Sequence, residues 1–339
     1  MAFHRFEDVL KARQSVMALV ECKEHSLLDS GSQGNVYVLS PRWVIKYLRV
    51  DGIADDAPLR PTNAGATVSD APSASCIVWL VARELQTMHD LRIGCAPELH
   101  PRISRELAAR AACVVMERAT CSVHDVTRAS DPLTPAAIDF IACSLIDAMI
   151  NAHRARWRHM DLHPRQVLLR LTDNDNNVSV TVGDWGSAVR SERVGGGFGC
   201  WDTLPPEAHD CIQNDSPSSV SSTDCDTWAV AYILLSLVLN VVGPFGTCDE
   251  DDDDPAAIRA VHRRILDCPR NGPVHTAADI AGLAAPPRAN LETAAAHAVT
   301  DILRRSGRAT LQEARAYFPA QPVLPSDDPL FTVLRNMKQ

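Results

Sequence analysis

The segment His159-Met160-Asp161-Leu162-His163-Pro164-Arg165-Gln166 follows a long helical pattern and leads into a short β-like run. After a second such run comes Gly183-Asp184-Trp185-Gly186. Residues of these types in this order suit phosphoryl transfer. That reaction needs a carboxylate beside the attacking hydroxyl and oxygen donors that hold Mg²⁺ on the phosphates. Asp161 can be the first. Asp184 and the side-chain carbonyl of Gln166 can be the second, because carboxylate and amide oxygens are hard ligands and water fills the remaining positions. A transition-metal site is the alternative: on a strand, His159, Asp161 and His163 would share one face. Pro164 directly after them makes an extended loop the better assignment.

Three upstream features complete the chemistry. Gly31-Ser32-Gln33-Gly34-Asn35-Val36 carries glycines that allow backbone N–H groups to approach phosphate oxygens, although the spacing also fits an ordinary hairpin. Lys46, in Trp43-Val44-Ile45-Lys46, ends an apolar β run and can direct its ammonium into a cleft; alone it would read as a snorkelling surface lysine. Glu84 lies in a helical pattern and can pair with Lys46; alone it would read as a solvated carboxylate.

The elements that must position these residues are legible as patterns. Residues 26–50 read as two or three strands, with Val36–Leu39 and Trp43–Leu48 the β-rich runs. Asp51–Ser75, rich in Ala, Asp, Pro, Ser and Thr, reads as a surface insertion. Residues 76–91 have helical periodicity, with Ile77, Leu80, Val81, Leu85 and Met88 on one face. Strand candidates follow near 98–104 and at Ala112–Met116. Ala136–Ala155 is a strong helix pattern, Val167–Leu171 and Val178–Val182 are short β-like runs, and the chain beyond residue 205 is mostly helical. A mainly β segment before a mainly α segment predicts an α+β protein of two lobes with a ligand cleft between them.

The bulk properties narrow the class. The chain has 339 residues, 46% of them hydrophobic and 22% charged, enough for a large core and against wholesale disorder. A net charge of −9 argues against a broad nucleic-acid surface. The N-terminal residues do not read as a secretory signal, and the apolar stretch Trp228–Val242 is shorter than a bilayer span and reads as a buried core helix. The 11 cysteines show no CxxC pair and lie mostly in apolar contexts, so reduced thiols in a soluble intracellular protein, cytoplasmic or nuclear, are expected, with no membrane partner. The acidic run Asp249–Asp254 reads as a solvated loop, with an interaction patch for a basic partner as the alternative.

Taken in order over about residues 26–318, these pieces resemble the protein kinase family. Gly31, Gly34 and Val36 match its glycine-rich loop, Val44-Ile45-Lys46 its Val-Ala-Ile-Lys strand, and Glu84 the helix partner of that lysine. Met116 looks like the gatekeeper and Glu117 like the first hinge residue beside adenine. His159-Met160-Asp161 is similar to the catalytic loop and Asp184-Trp185-Gly186 to the magnesium-binding triplet. Pro205-Pro206-Glu207 resembles the end of the activation segment, Asp226-Thr227-Trp228-Ala229 the start of the long buried helix, and Arg308 the arginine that pairs with that glutamate. The resemblance implies an N-terminal extension (1–25), a mainly β N-lobe (26–118, with the insertion at 51–75), a mainly α C-lobe (119–318) and a tail (319–339). It implies ATP and Mg²⁺ as cofactors and a protein serine or threonine hydroxyl as acceptor.

The departures are specific. Asp29 replaces the first loop glycine and Gln33 the aromatic at the loop tip. Met160 replaces the catalytic-loop arginine, which implies activity without a phosphate docked on the activation segment, where Ser187, Ser191 and Thr203 lie. His163 replaces a lysine and would hydrogen-bond the γ-phosphate in a pH-dependent way. Gln166 replaces the metal-binding asparagine, one methylene longer, and Cys200 stands where many such kinases have threonine. These substitutions keep a pseudokinase acting as a binding module in view. Asp161-Leu162-His163-Pro164 and Asp184-Trp185 are also similar to aminoglycoside and choline phosphotransferases, whereas Glu207 with Arg308 favours a protein substrate. The divergence and the Ala/Arg/Asp-rich insertions resemble protein kinases of large DNA viruses, which would place the protein in a host cell.

Overall fold

The computed structural model describes residues 6–20, 26–31, 34–48, 74–92, 95–129, 132–172, 177–190, 200–208, 220–244, 290, 292–303 and 308–338. The fold is mixed α+β. The insertion up to residue 73, Ser32 and Gln33, Ser191 and the acidic run at 249–254 lie outside the described residues. The chain divides into two compact units: residues up to Arg118 together with Asp184–Gly186, and Ala119–Gly183 together with Ser187 onward.

In the first unit, helix α1 (Phe6–Val20) precedes strands β1 (Ser26–Gly31), β2 (Gly34–Val38) and β3 (Trp43–Leu48). Helices α2 (Ala74–Asp90) and α3 (Arg105–Arg110) and strand β4 (Cys113–Glu117) follow. The four strands form one antiparallel sheet in sequential order. Side chains alternate across a strand, so Ile45 and Tyr47 of β3 join Ala12, Val16, Tyr37, Ala111 and Val115 in one cluster, and Val44 and Lys46 face the other way. The periodicity of α2 buries Val81, Leu85 and Met88. Of the two strand candidates, 112–116 forms β4; 98–104 makes only a single bridge, from Leu99 to Met116, and turns at Pro101.

The expected N-terminal extension contains the ordered helix α1. Its Val9, Ala12 and Val16 are buried, and so is Arg13. The Arg13 guanidinium donates through Nε to the Ala111 carbonyl (3.0 Å) and through Nη2 to that of Leu48 (3.2 Å), and lies 4.5 Å above the Tyr47 ring. A buried arginine is tolerated where its donors meet acceptors and its face meets an aromatic ring.

The second unit contains β5 (Cys121–Ser122), α4 (Val123–Arg128), α5 (Pro135–Arg154), β6 (Val167–Leu171) and β7 (Val178–Val182). Helices α6 (Ser222–Leu239), α7 (Ala294–Ile302), α8 (Leu311–Arg315) and α9 (Pro329–Met337) follow. β5, β6 and β7 form a small antiparallel sheet. Helix α5 starts cleanly because the Thr134 hydroxyl accepts from Ala137 N–H and proline occupies the first turn. Helix α6 is buried almost throughout and ends at Asn240 in the left-handed region (φ 51°). By length and composition α5 and α6 could each cross a membrane, yet 61% and 89% of their apolar windows are buried inside the fold, as in core helices. The expected tail carries α9, which buries Leu330, Phe331 and Leu334.

Candidate active site

Lys46 is the centre of the first unit's polar cluster. Its ladder partners are Val36 on β2 and Val114 on β4, which hold it mid-sheet. Only 6% of the residue is exposed, so the surface-lysine reading does not hold. Its Nζ lies 2.5 Å from Asp184 Oδ1 and 3.4 Å from Glu84 Oε1. Glu84 sits on the buried face of α2, between Val81 and Leu85, and is 1% exposed rather than solvated. A charge buried that deeply requires a partner. Burial pulls the Lys46 ammonium towards the neutral form, but the charges of Glu84 and Asp184 outweigh it and hold its pKa above the ordinary lysine value. Burial pushes Glu84 up, against the pull of Lys46. Asp184 is the partly exposed member, its side chain 24% accessible, and its backbone is left-handed at φ 51°. This region is uncommon outside glycine. Arg83, beside Glu84, donates to the Gly186 carbonyl and ties down the far end of the Asp184–Gly186 turn.

The glycine-rich segment has a structural demand of its own. A Cβ on Gly34 would lie 2.0 Å from the Tyr47 carbonyl oxygen, so β2 can run against β3 only with glycine there. Gly31 pairs with Gly34 across the β1–β2 turn. Met116 and Glu117 end β4 opposite Val44 and Trp43. The Glu117 amide donates to the Glu98 carbonyl (2.8 Å), and its carboxylate pairs with Arg42 at 3.4 Å.

In the second unit, the loop carrying Asp161 is fixed by hydrogen bonds from both sides. His159 is fully buried; its Nε2 lies 2.9 Å from the Gly183 carbonyl oxygen, and its Nδ1 faces the Asp161 amide at 3.3 Å. These partners assign a neutral ring with the proton on Nε2. Met160 has φ 70°, which lies in the left-handed region. Asp226, in the first turns of α6 and 1% exposed, accepts from His159 N–H (2.8 Å) and Met160 N–H (2.9 Å), and its Oδ2 lies 2.9 Å from His153 Nε2. A single buried carboxylate therefore braces the strained loop backbone. The Cys200 amide donates to Asp161 Oδ1 (2.8 Å), and burial, with Asp202 and Asp161 nearby, pushes the Cys200 thiol up to about 12. The side chains of His163 and Gln166 meet at 3.1 Å, and Gly183 N–H donates to the Gln166 carbonyl.

No protein-family model matches the chain, and no curated protein matches its sequence.

Three residues expected from the sequence, Lys46, Glu84 and Asp184, are brought together in the first unit. His159, Asp161, His163 and Gln166 lie along one loop of the second. Among the described residues no group of three or more His, Cys, Asp or Glu gathers to hold a metal, and His159, Asp161 and His163 do not form the transition-metal set. Glu207 and Arg308, 101 residues apart, form a two-pronged ion pair (2.8 and 3.2 Å), with the guanidinium 5.1 Å above Trp228. Thr203 is buried and donates to the Cys200 carbonyl. Asp226 as the brace of residues 159 and 160 is the site residue that the sequence reading missed; its signal was a carboxylate directly before the apolar run of α6.

Proposed function

We propose that the protein is an ATP-dependent phosphotransferase with the bilobal protein-kinase fold, acting on serine or threonine hydroxyls of a protein. The observation that carries this reading is Lys46, a buried ammonium held between carboxylates that lie 38 and 138 residues away in the chain. A structural ion pair needs one carboxylate. A second, partly exposed one matches a site that binds phosphate oxygens and a hard cation side by side.

The residues fit Mg²⁺ and ATP by donor chemistry. Lys46 stays charged for the α- and β-phosphates, and Asp184 offers an accessible carboxylate oxygen, with the Gln166 amide oxygen as the second metal ligand. Gly31 and Gly34 would let the backbone cover the phosphates, beside Val36. Met116 and Glu117 would flank the adenine. Bound ATP would supply the transferable γ-phosphoryl group. Asp161 orients the acceptor hydroxyl and takes its proton, and His163 donates a hydrogen bond to the phosphate. Catalysis of this kind is mostly positioning and charge stabilisation.

The Glu207–Arg308 pair supports a protein acceptor over a small molecule such as an aminoglycoside or choline. A binding module on the same fold is the second reading; the bond between the His163 and Gln166 side chains favours it, because it engages both substituted residues. An ATP-turnover assay on generic protein substrates separates the two. Wild type is expected to turn over, and Lys46→Met and Asp161→Asn to fall by about 100-fold or more. Unchanged turnover in Asp161→Asn refutes the assignment of the base. Phosphate on aminoglycosides or choline instead of protein refutes the acceptor class.

A further inference from the structure

The second unit holds a cavity of about 280 Å³, lined by Arg154, Arg158, Arg308, Thr223, Asp224 and Thr310, among others. None of the residues assigned above to phosphoryl transfer lines it. With Arg308 paired to Glu207, two guanidinium groups, Arg154 and Arg158, face one carboxylate, Asp224, and leave the lining net positive in a chain whose net charge is −9.

Arg158 is the most telling member. Its Nε donates to the Thr223 hydroxyl oxygen (2.6 Å), and its Nη1 donates to the carbonyls of His153 and Trp157 (both 3.1 Å). Three neutral oxygens thus lock the guanidinium plane without neutralising it, and the Nη2 donors take no part in these bonds. The Thr223 hydroxyl uses its oxygen to accept from Arg158 and keeps its proton to donate. Arg154 is exposed one helical turn before. Among the described residues neither Arg154 nor Arg158 has a carboxylate partner. Arg308 is different: Glu207 holds it, so it contributes orientation more than net charge. Asp224 opposes an anion, and burial raises its pKa, which lowers the cost of carrying the proton beside one.

An oriented fork of N–H donors without a counter-ion, a second free guanidinium and a hydroxyl donor together match the oxygens of a doubly charged tetrahedral anion. A single carboxylate would leave donors unused. We propose that this cavity binds a phosphate monoester through Arg154, Arg158 and Thr223. The phosphate of a phosphorylated peptide and free inorganic phosphate share that chemistry. The site goes beyond the phosphotransferase reading and does not depend on it.

The test is fluorescence anisotropy on the full chain without nucleotide, so that failure leaves the turnover experiment untouched. The probe is a labelled Ala-Ala-phosphoserine-Ala-Ala peptide, with its serine and glutamate counterparts and inorganic phosphate as competitors. The phosphopeptide is expected to bind saturably, at least tenfold tighter than the serine peptide. Arg154→Gln, a surface change, is expected to weaken it by about tenfold, and Arg158→Gln by more. Competition by inorganic phosphate at equal affinity supports the site with the free anion as its source; much weaker competition supports a peptide source. Absence of saturable binding, equal binding of the glutamate peptide, or unchanged affinity in Arg154→Gln overturns the proposal.

Discussion

Asp226→Asn is the most informative single change in the second unit. The carboxylate receives two backbone N–H groups, of His159 and Met160, and sits 2.9 Å from His153 Nε2, all at 1% exposure. Asparagine keeps the shape but replaces one acceptor oxygen with a donor, which must then face an N–H group. Hydrogen bonds to a buried charge contribute about 1.5–3 kcal/mol each, and a buried donor left without a partner costs about 1–3 kcal/mol. Loss of one acceptor and weakening of the others therefore destabilise the unit by about 3–5 kcal/mol, the range found when one partner of a buried charged cluster is removed. For a unit of this size that lowers the midpoint of thermal unfolding by roughly 10 °C. The loss falls on a loop in which Met160 is already held at φ 70°, so the variant should also free that backbone. Urea unfolding followed by tryptophan fluorescence measures the first effect, and amide exchange at His159 and Met160 the second. Asp224→Asn, two residues earlier and exposed, is the control and should change stability by less than about 1 kcal/mol. An Asp226→Asn variant within 1 kcal/mol of wild type, with unchanged exchange, would show that this carboxylate does not brace the loop.

Two further outcomes follow from the geometry. Gly34→Ala places a methyl group 2.0 Å from the backbone oxygen of Tyr47, which no rotamer change relieves; a loss of about 1–3 kcal/mol and faster amide exchange where β2 pairs with β3, at Asn35 and Tyr47, are expected, and a neutral variant would contradict the strand spacing. Asp125 closes the capping box of α4, and the His124 ring beside it, with the Ser122 amide and hydroxyl, holds its carboxyl down to about 2. A depressed folded pKa contributes stability that is fully present above the ordinary value of 3.8 and is lost as pH falls towards 2. The stability advantage of wild type over Asp125→Asn should therefore shrink between pH 4 and 2 in denaturant titrations; an advantage that grows on acidification would reverse the sign of the argument.

Local periodicity made much of this architecture readable. The alternation around Lys46, the apolar face of α2 and the two short β runs after Asp161 are all patterns within a few residues, and they appear where the spacing puts them. The helical pattern offered Glu84 as a possible partner for Lys46, 38 positions away, but the Glu207–Arg308 pair was readable only by resemblance, because nothing local joins residues 101 positions apart. Arg13 shows a different failure. Val9, Ala12 and Val16 have helical spacing, but nothing in the sequence marks the arginine among them as buried, and only the carbonyls of Leu48 and Ala111 and the Tyr47 ring make its burial tolerable. The Cys200 amide on Asp161 was not legible at all, since a backbone donor carries no residue signature.

The three residues Asp184–Gly186 belong by packing to the unit that otherwise ends at Arg118. On a ribosome, the sheet around Lys46 emerges well before the aspartate that completes its charge balance. Until residue 184 is made, the nascent chain holds an ammonium with one of its two counter-charges, and no single cut can excise the finished unit. A fragment ending at residue 118 would reproduce that early, electrostatically incomplete stage.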